Sequence, residues 1–288
     1  MHWRKVLLWT LSAAILTAPV YLSGINVTAA PIMQENKTEV DKIKEEKKEP
    51  VSGYEEEFQK NNEKVSETMK NKKVSRTAQN ESCGETATWA LDNGVLTISG
   101  TGAIADYSDT SEIPWKDQKK TITKIVIENG ITEIGIQAFY DCTNVTEVVF
   151  PDTLTTIKRG AFFQCYSLEA AILPDGVTTL EQGAFAKCSS MMQYSGKGVT
   201  SYGQFAFQDT ALSSFEIPKG VADIESLVFL NCGIEEYTLA EGNETYMVKD
   251  GILFSKSGDE LVIYPAEKKD ETYRIPEGCT KIADYAFR

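Results

Sequence analysis

Histidine is almost missing: one occurs in 288 residues, and it is His2. If the N-terminus is removed on export, the working chain has no imidazole. Ser-His-Asp and Cys-His catalysis and histidine-ligated zinc are then excluded. Basic charge is also scarce past residue 82, where 30 acidic side chains face 16 basic ones. A surface of that sign repels nucleic acid and anionic lipid heads. After the first 30 residues there is no apolar run long enough to span a bilayer.

What is present begins with a basic start, "HWRK", then the apolar run "VLLWTLSAAILTAPVYL", then small residues in "NVTAAP". That order predicts a secretory signal peptide over 1–29, cleaved after Ala29. The alternative is an uncleaved anchor, which Pro19 and the small-residue end disfavour. After cleavage no membrane insertion is expected. Residues 30–82 are mostly Lys, Glu, Asn, Ser and Thr, with 12 acidic and 11 basic side chains over 31–82. Such a segment buries too little apolar surface to offset its ordering entropy and reads as a charged, disordered linker.

From residue 83 the composition shifts. "TATWALDNGVLTISG" alternates apolar and polar positions around Asn93-Gly94, the strongest short hairpin signal. Residues 83–121 therefore read as a β-hairpin cap. From Ile122 the chain repeats: "ITKIVIENGITEIGIQAFYDCTN", "VTEVVFPDTLTTIKRGAFFQCYS" and "LEAAILPDGVTTLEQGAFAKCSS" follow one another without gaps. Phe139, Phe162, Phe185, Phe207 and Phe229 recur at spacings of 23, 23, 22 and 22. About 35 extra residues, near 240–275, separate the last of these from the pattern that resumes before Phe287. They contain "SKSGDELVIYP", which reads as a turn and a further strand, and the final repeat is incomplete. A unit this short has no core of its own and must stack on its copies. The prediction is a solenoid with a parallel sheet and interior ladders of aliphatic and phenylalanine side chains.

The repeat, strand-Pro then [VIL]-T-x-[IL] then A-F-x-x-C, resembles the BspA-type leucine-rich repeats of bacterial surface proteins. The resemblance covers 122–288 and implies a leucine-rich repeat solenoid. Its implied role is an exported, non-enzymatic protein that recognises extracellular or host proteins, or neighbouring cells, without a cofactor. A glycan-binding module, or the scaffold part of a larger secreted hydrolase, are the alternatives. The fourth unit departs from the pattern: it lacks the proline, has Gly196 at an interior strand position and Thr210 in place of cysteine.

Cys142, Cys165, Cys188 and Cys232 hold one place in four units. Stacking sets neighbours about 5 Å apart, which a disulfide tolerates. Their parallel side chains favour buried free thiols packing as small apolar groups, and a ladder is not the tetrahedron a metal needs. Outward strand positions give two ladders. Lys124, Glu147 and Gln193 belong to one, and Val126, Val149 and Ile172 to the other. The last three form a candidate apolar contact patch for a protein partner. The first ladder is extended to Thr272 and the second to Arg274. Trp89, Tyr107 and Trp115 are the candidate sugar platform, the alternative being that aromatics this close to a first repeat cap its open edge. Asp106, Asp109 and Glu112 match no calcium-loop spacing.

Overall fold

The structure, a computed structural model, describes residues 81–288 except 271. The expected signal peptide and nearly all of the charged linker lie outside the described residues.

The described residues open with β1 (Glu81–Ser82), β2 (Thr86–Asp92) and β3 (Val95–Ala103), consecutive antiparallel neighbours. Asn93 and Gly94 turn the hairpin with φ of 48° and 80°, as a two-residue turn with left-handed central residues requires. β3 then serves two ladders. Its first half, Val95–Ile98, pairs in parallel with β4 (Lys124–Ile127), and Gly102–Ala103 pairs in parallel with β5 (Ile131–Ile134). Between these halves Gly100 has φ 109°, and a Cβ there would lie 2.2 Å from the Thr86 carbonyl oxygen. Only glycine fits this approach.

Each coil repeats that pair of strands. β6 (Glu147–Val149) and β7 (Thr156–Ile157), β8 (Ala170–Ile172) and β9 (Thr179–Leu180), and β10 (Gln193–Ser195) and β11 (Ser201–Tyr202) stack in order. The second strands form one continuous parallel ladder, β5-β7-β9-β11. The first strands pair as β4-β6 and β8-β10, and later as β12 (Ser214–Ile217) with β13 (Glu236–Leu239). About seven turns of the solenoid result, because every apolar strand face can be covered only by the next copy of itself.

The Ala-Phe corner supplies the core. Trp115, Phe139, Phe162, Phe185, Phe207 and Phe229 form one column of stacked rings, with centroids 5.1–6.0 Å apart. Such pairs add about 0.5–1.5 kcal/mol each beyond burial. Around Phe139, Phe162 and Phe185 the backbone visits the left-handed region twice, at Gln137 and Asp141, at Gly160 and Gln164, and at Gly183 and Lys187. Those residues and the phenylalanine between them aim their N–H groups at the next coil. Gln137 donates to Arg159 O at 3.0 Å, Phe139 to Ala161 O at 2.8 Å and Asp141 to Phe163 O at 2.9 Å. The unusual backbone is held by hydrogen bonds between coils.

The fourth unit solves its irregularity locally. Tyr194 takes the inward position, in register with Ala171, and its ring meets Phe207 at 4.5 Å and stacks on Phe215 at 5.2 Å. A Cβ on Gly196 would lie 2.0 Å from the Tyr194 hydroxyl oxygen. The aromatic ring that Phe150 provides two units earlier has moved two residues back along the strand, and glycine makes the room.

The inserted segment forms β14 (Tyr246–Lys249), β15 (Ile252–Ser255) and β16 (Glu260–Ile263), an antiparallel meander. β15 and β16 are buried on both faces. Leu253, Val262 and Ile263 join the main core, whereas Ile252, Phe254, Leu261 and Ala286 form a second one. β16 pairs in parallel with β17 (Lys281–Ile282), so the insert carries the second-strand ladder into the last coil. The first ladder does not continue. The strand expected to contain Thr272 and Arg274 is absent, because the insert's turn already occupies the partner edge: Tyr237 N–H donates to Gly251 O at 2.8 Å.

Candidate functional site

Among the described residues no layer packs on the outward face of the first strands, which carries aliphatic side chains where the outward second-strand positions are Thr, Ser and Glu. Period-two alternation places Ile125, Val148 and Ala171 inward, fully buried, and so sends their neighbours outward. Lys124 stands opposite Glu147, and Val126 opposite Val149, in consecutive strands. Ala170 pairs with Gln193 and Ile172 with Ser195 in the next pair. Farther along, Ser214 lies opposite Glu236 and Glu216 opposite Thr238. The ladder order of the sequence is the order in space up to β13.

The register adds residues that periodicity alone did not reach. β3 places Val95 beside Lys124 and Thr97 beside Val126, so the hairpin extends the face by one strand. The signal was available in "GVLTISG", whose fully buried Leu96 and Ile98 fix Val95 and Thr97 as outward. Lys124 Nζ lies 2.7 Å from Glu147 Oε1, and both side chains are partly covered. This cross-strand pair neutralises the only cation in the first two coils of the face.

Val126 corrects the expected patch. It keeps 6% of its exposure, because a small side chain held in register between Thr97 and Val149 is covered from both sides. Val149, Ala170 and Ile172 are half-buried, as are Lys124, Glu147 and Gln193. These are the side chains the face can present to a partner.

The aromatic platform is not open. Trp115 has no exposed surface; it stacks on Phe139 at 5.4 Å and donates its indole N–H to Ala138 O at 3.1 Å. It is the first rung of the ring column, 24 residues before Phe139. Tyr107 is buried edge-on to it at 6.3 Å, with its hydroxyl donating to Cys83 O at 3.3 Å. Trp89 is half-buried against the other edge of Trp115. Sugar stacking needs a free ring face, and neither Trp115 nor Tyr107 has one. The outer pair, Tyr140 and Phe163, stack on each other at 5.6 Å with Lys119 and Lys187 over their far sides.

Nor do the acids gather. Asp106 accepts a hydrogen bond from Ile136 N–H at 2.9 Å and pairs with Lys158. Asp109 caps a short 3-10 turn by accepting from Ser111 N–H, and this bond lowers its carboxyl pKa. Among the described residues no group of three or more His, Cys, Asp or Glu could hold a metal ion, and no helix is long and apolar enough to cross a membrane.

The cysteines occupy the column beside the rings. Cys165 Sγ donates to Phe139 O at 3.3 Å, Cys188 to Phe162 O at 3.2 Å and Cys232 to Phe207 O at 2.9 Å. Each of these three thiol protons is directed at a carbonyl of the preceding coil rather than at the neighbouring sulfur. Burial pushes Cys142 up to about 12 and Cys165 well above the ordinary thiol value. Nucleophilic chemistry needs the thiolate, which these sites disfavour.

Short parallel strands, a 22–23-residue period and interior ladders of aliphatic, phenylalanine and cysteine side chains define a leucine-rich-repeat scaffold. Residues 117–235 match the BspA type leucine rich repeat region in six copies. The chain is similar to a leucine-rich repeat protein from Eubacterium ventriosum, at 27% identity and TM-score 0.55, with 71% of this chain and 55% of that one covered. It shares its fold with the pneumococcal vaccine antigen PcpA (19% identity, TM-score 0.55, 73% of this chain and 62% of that one). A leucine rich cell surface protein from Faecalibacterium prausnitzii also shares it (24% identity, TM-score 0.50, 75% and 69%). The chain therefore spans less than two thirds of the first two structures it resembles. No curated protein matches it.

Proposed function

We propose that this chain is an exported, non-enzymatic recognition protein that presents its solenoid outside a bacterial cell and binds other proteins through the outward sheet face. The observation that carries this is the uncovered face itself. The outward ladder of the second strands, Glu133, Thr156, Thr179 and Ser201, is polar, whereas the first strands present the aliphatic Val149, Ala170 and Ile172 with nothing across them among the described residues. A partner gains by covering such aliphatic positions, at about 25 cal/mol per Å² of apolar area removed from water. The signal-like N-terminus and the likeness to a cell surface protein and a vaccine antigen support display outside the cell.

The test pairs the wild-type chain with Val149→Asp and Ile172→Asp on an array of purified extracellular proteins. Both variants should keep the wild-type circular dichroism spectrum and lose a contact that the wild type makes. Retained binding by both variants would sink the assignment of the face. Protease treatment of intact producing cells checks display: the protein should be cleaved without lysis.

A further inference from the structure

The face is not uniform along the stack, and its division specifies a partner. Resting on the reading of this face as the contact surface, we infer that its ligand is an extended polypeptide segment, aliphatic at one end and carrying Lys or Arg at the other.

The first strands are short, so each presents two outward positions. Seven of them, from β3 to β13, follow one another in three hydrogen-bonded sets, β3-β4-β6, β8-β10 and β12-β13, and at about 4.8 Å per strand they give a strip about 29 Å long but only two side chains wide. A globular surface would overhang such a strip. A segment of about nine extended residues, at about 3.3 Å each, matches its length when it runs across the strands.

Charge divides the strip. At the end near the hairpin, Val95, Val149, Ala170 and Ile172 are the aliphatic positions, and the Lys124–Glu147 ion pair cancels its own charge. In β12 and β13 the outward residues are Ser214, Glu216, Glu236 and Thr238, all exposed. Among the described residues neither Glu216 nor Glu236 is in an ion pair. Glu235 pairs with Lys269, and Lys219 lies against Gly242. Two uncompensated carboxylates at one end and a neutral aliphatic surface at the other reject an acidic ligand. They also fix the direction in which an aliphatic-and-basic one can lie, since complementarity of charge sets orientation and partner choice more than raw affinity.

The test uses a random library of about twelve-residue peptides displayed on phage and selected against the full chain. Enriched peptides should place aliphatic residues towards one end and Lys or Arg towards the other, with Asp and Glu depleted. A synthetic peptide of that sequence should lose binding to Val149→Asp. Its affinity for the Glu216→Lys/Glu236→Lys chain should fall by about tenfold or more in low salt, and that gap should narrow as salt screens the pairing. Failure to enrich any peptide, or enrichment without basic residues, overturns the inference. So does equal affinity for the doubly reversed chain when Val149→Asp still abolishes binding, an outcome that leaves the face intact as a contact surface. If Val149→Asp binds the peptide as wild type does, the face reading falls with it.

Discussion

At Cys165 a single sulfur shows how the repeat disposes of a reactive group. The thiol is fully buried, its proton is directed at Phe139 O, and burial holds it neutral. Titration of the native protein with a thiol reagent should therefore modify Cys279, the one half-buried cysteine, while the five buried thiols react only on unfolding. Rapid reaction of Cys165 in the folded state would contradict this. Cys165→Ala removes a hydrogen bond and leaves a small void, a cost of about 1–2 kcal/mol that a urea titration would measure. Trp115→Ala should cost more, about 3–5 kcal/mol, because it deletes the terminal ring of the column. The sequence offers it as an edge cap or a sugar platform, and the structure makes it the capping ring of the column. The surrounding "DYSDTSEIPWKDQKK" carries no strand period, and the clue was its distance of 24 residues before Phe139.

Elements show where periodicity suffices and where it does not. The strand-turn-corner unit was readable because Val148, Pro151, Ile157 and Phe162 return at fixed distances, and the outward ladders follow from alternation alone. Val126 was misplaced because alternation gives the direction of a side chain but not the cover its neighbours provide. The runs "ILF" and "LVI" in the insert lack a polar face, so they could not show that the insert packs on two cores at once. The strand expected at Thr272 and Arg274 failed for a long-range reason, the insert's turn having taken its edge. Tyr194 and Gly196 read as defects singly and as an exchange together. Gly196→Ala should destabilise the chain by about 1–3 kcal/mol through overlap with the tyrosine hydroxyl. Combining Tyr194→Val with Gly196→Phe restores the Val148-x-Phe150 arrangement and should recover most of the stability that Gly196→Phe alone loses. Thermal melts of the four proteins form a double-mutant cycle, and additive losses would refute the exchange.

The whole molecule answers to alkali through the same columns. Below about pH 9 folded and unfolded chains hold the same thiol protons, and these groups leave stability flat. Above the ordinary value of 9.0 the unfolded chain releases protons that the folded one keeps, up to about 12 at Cys142 and about 11 at Cys232. Tyr194 and Tyr237, raised well above 10.0 by burial, act in the same direction. Stability should fall as pH rises from about 9 towards 12, each such group removing about 1.4 kcal/mol per pH unit until its folded value is reached. Urea midpoints measured from pH 7.5 to 10.5 check the sign, and a flat profile would refute it. The hydrogen bonds that each corner donates to its successor have a further consequence, in the gene. Residues 122–144, 145–167 and 168–190 are equal in length and exchange the same contacts, so excision of 145–167 would set Phe139 directly on Phe185 and give each corner N–H a carbonyl in the next coil. Unequal crossing-over between these coding segments would therefore shorten or lengthen the outward face in whole-coil steps, and natural variants of one locus would differ in reach while keeping the same architecture.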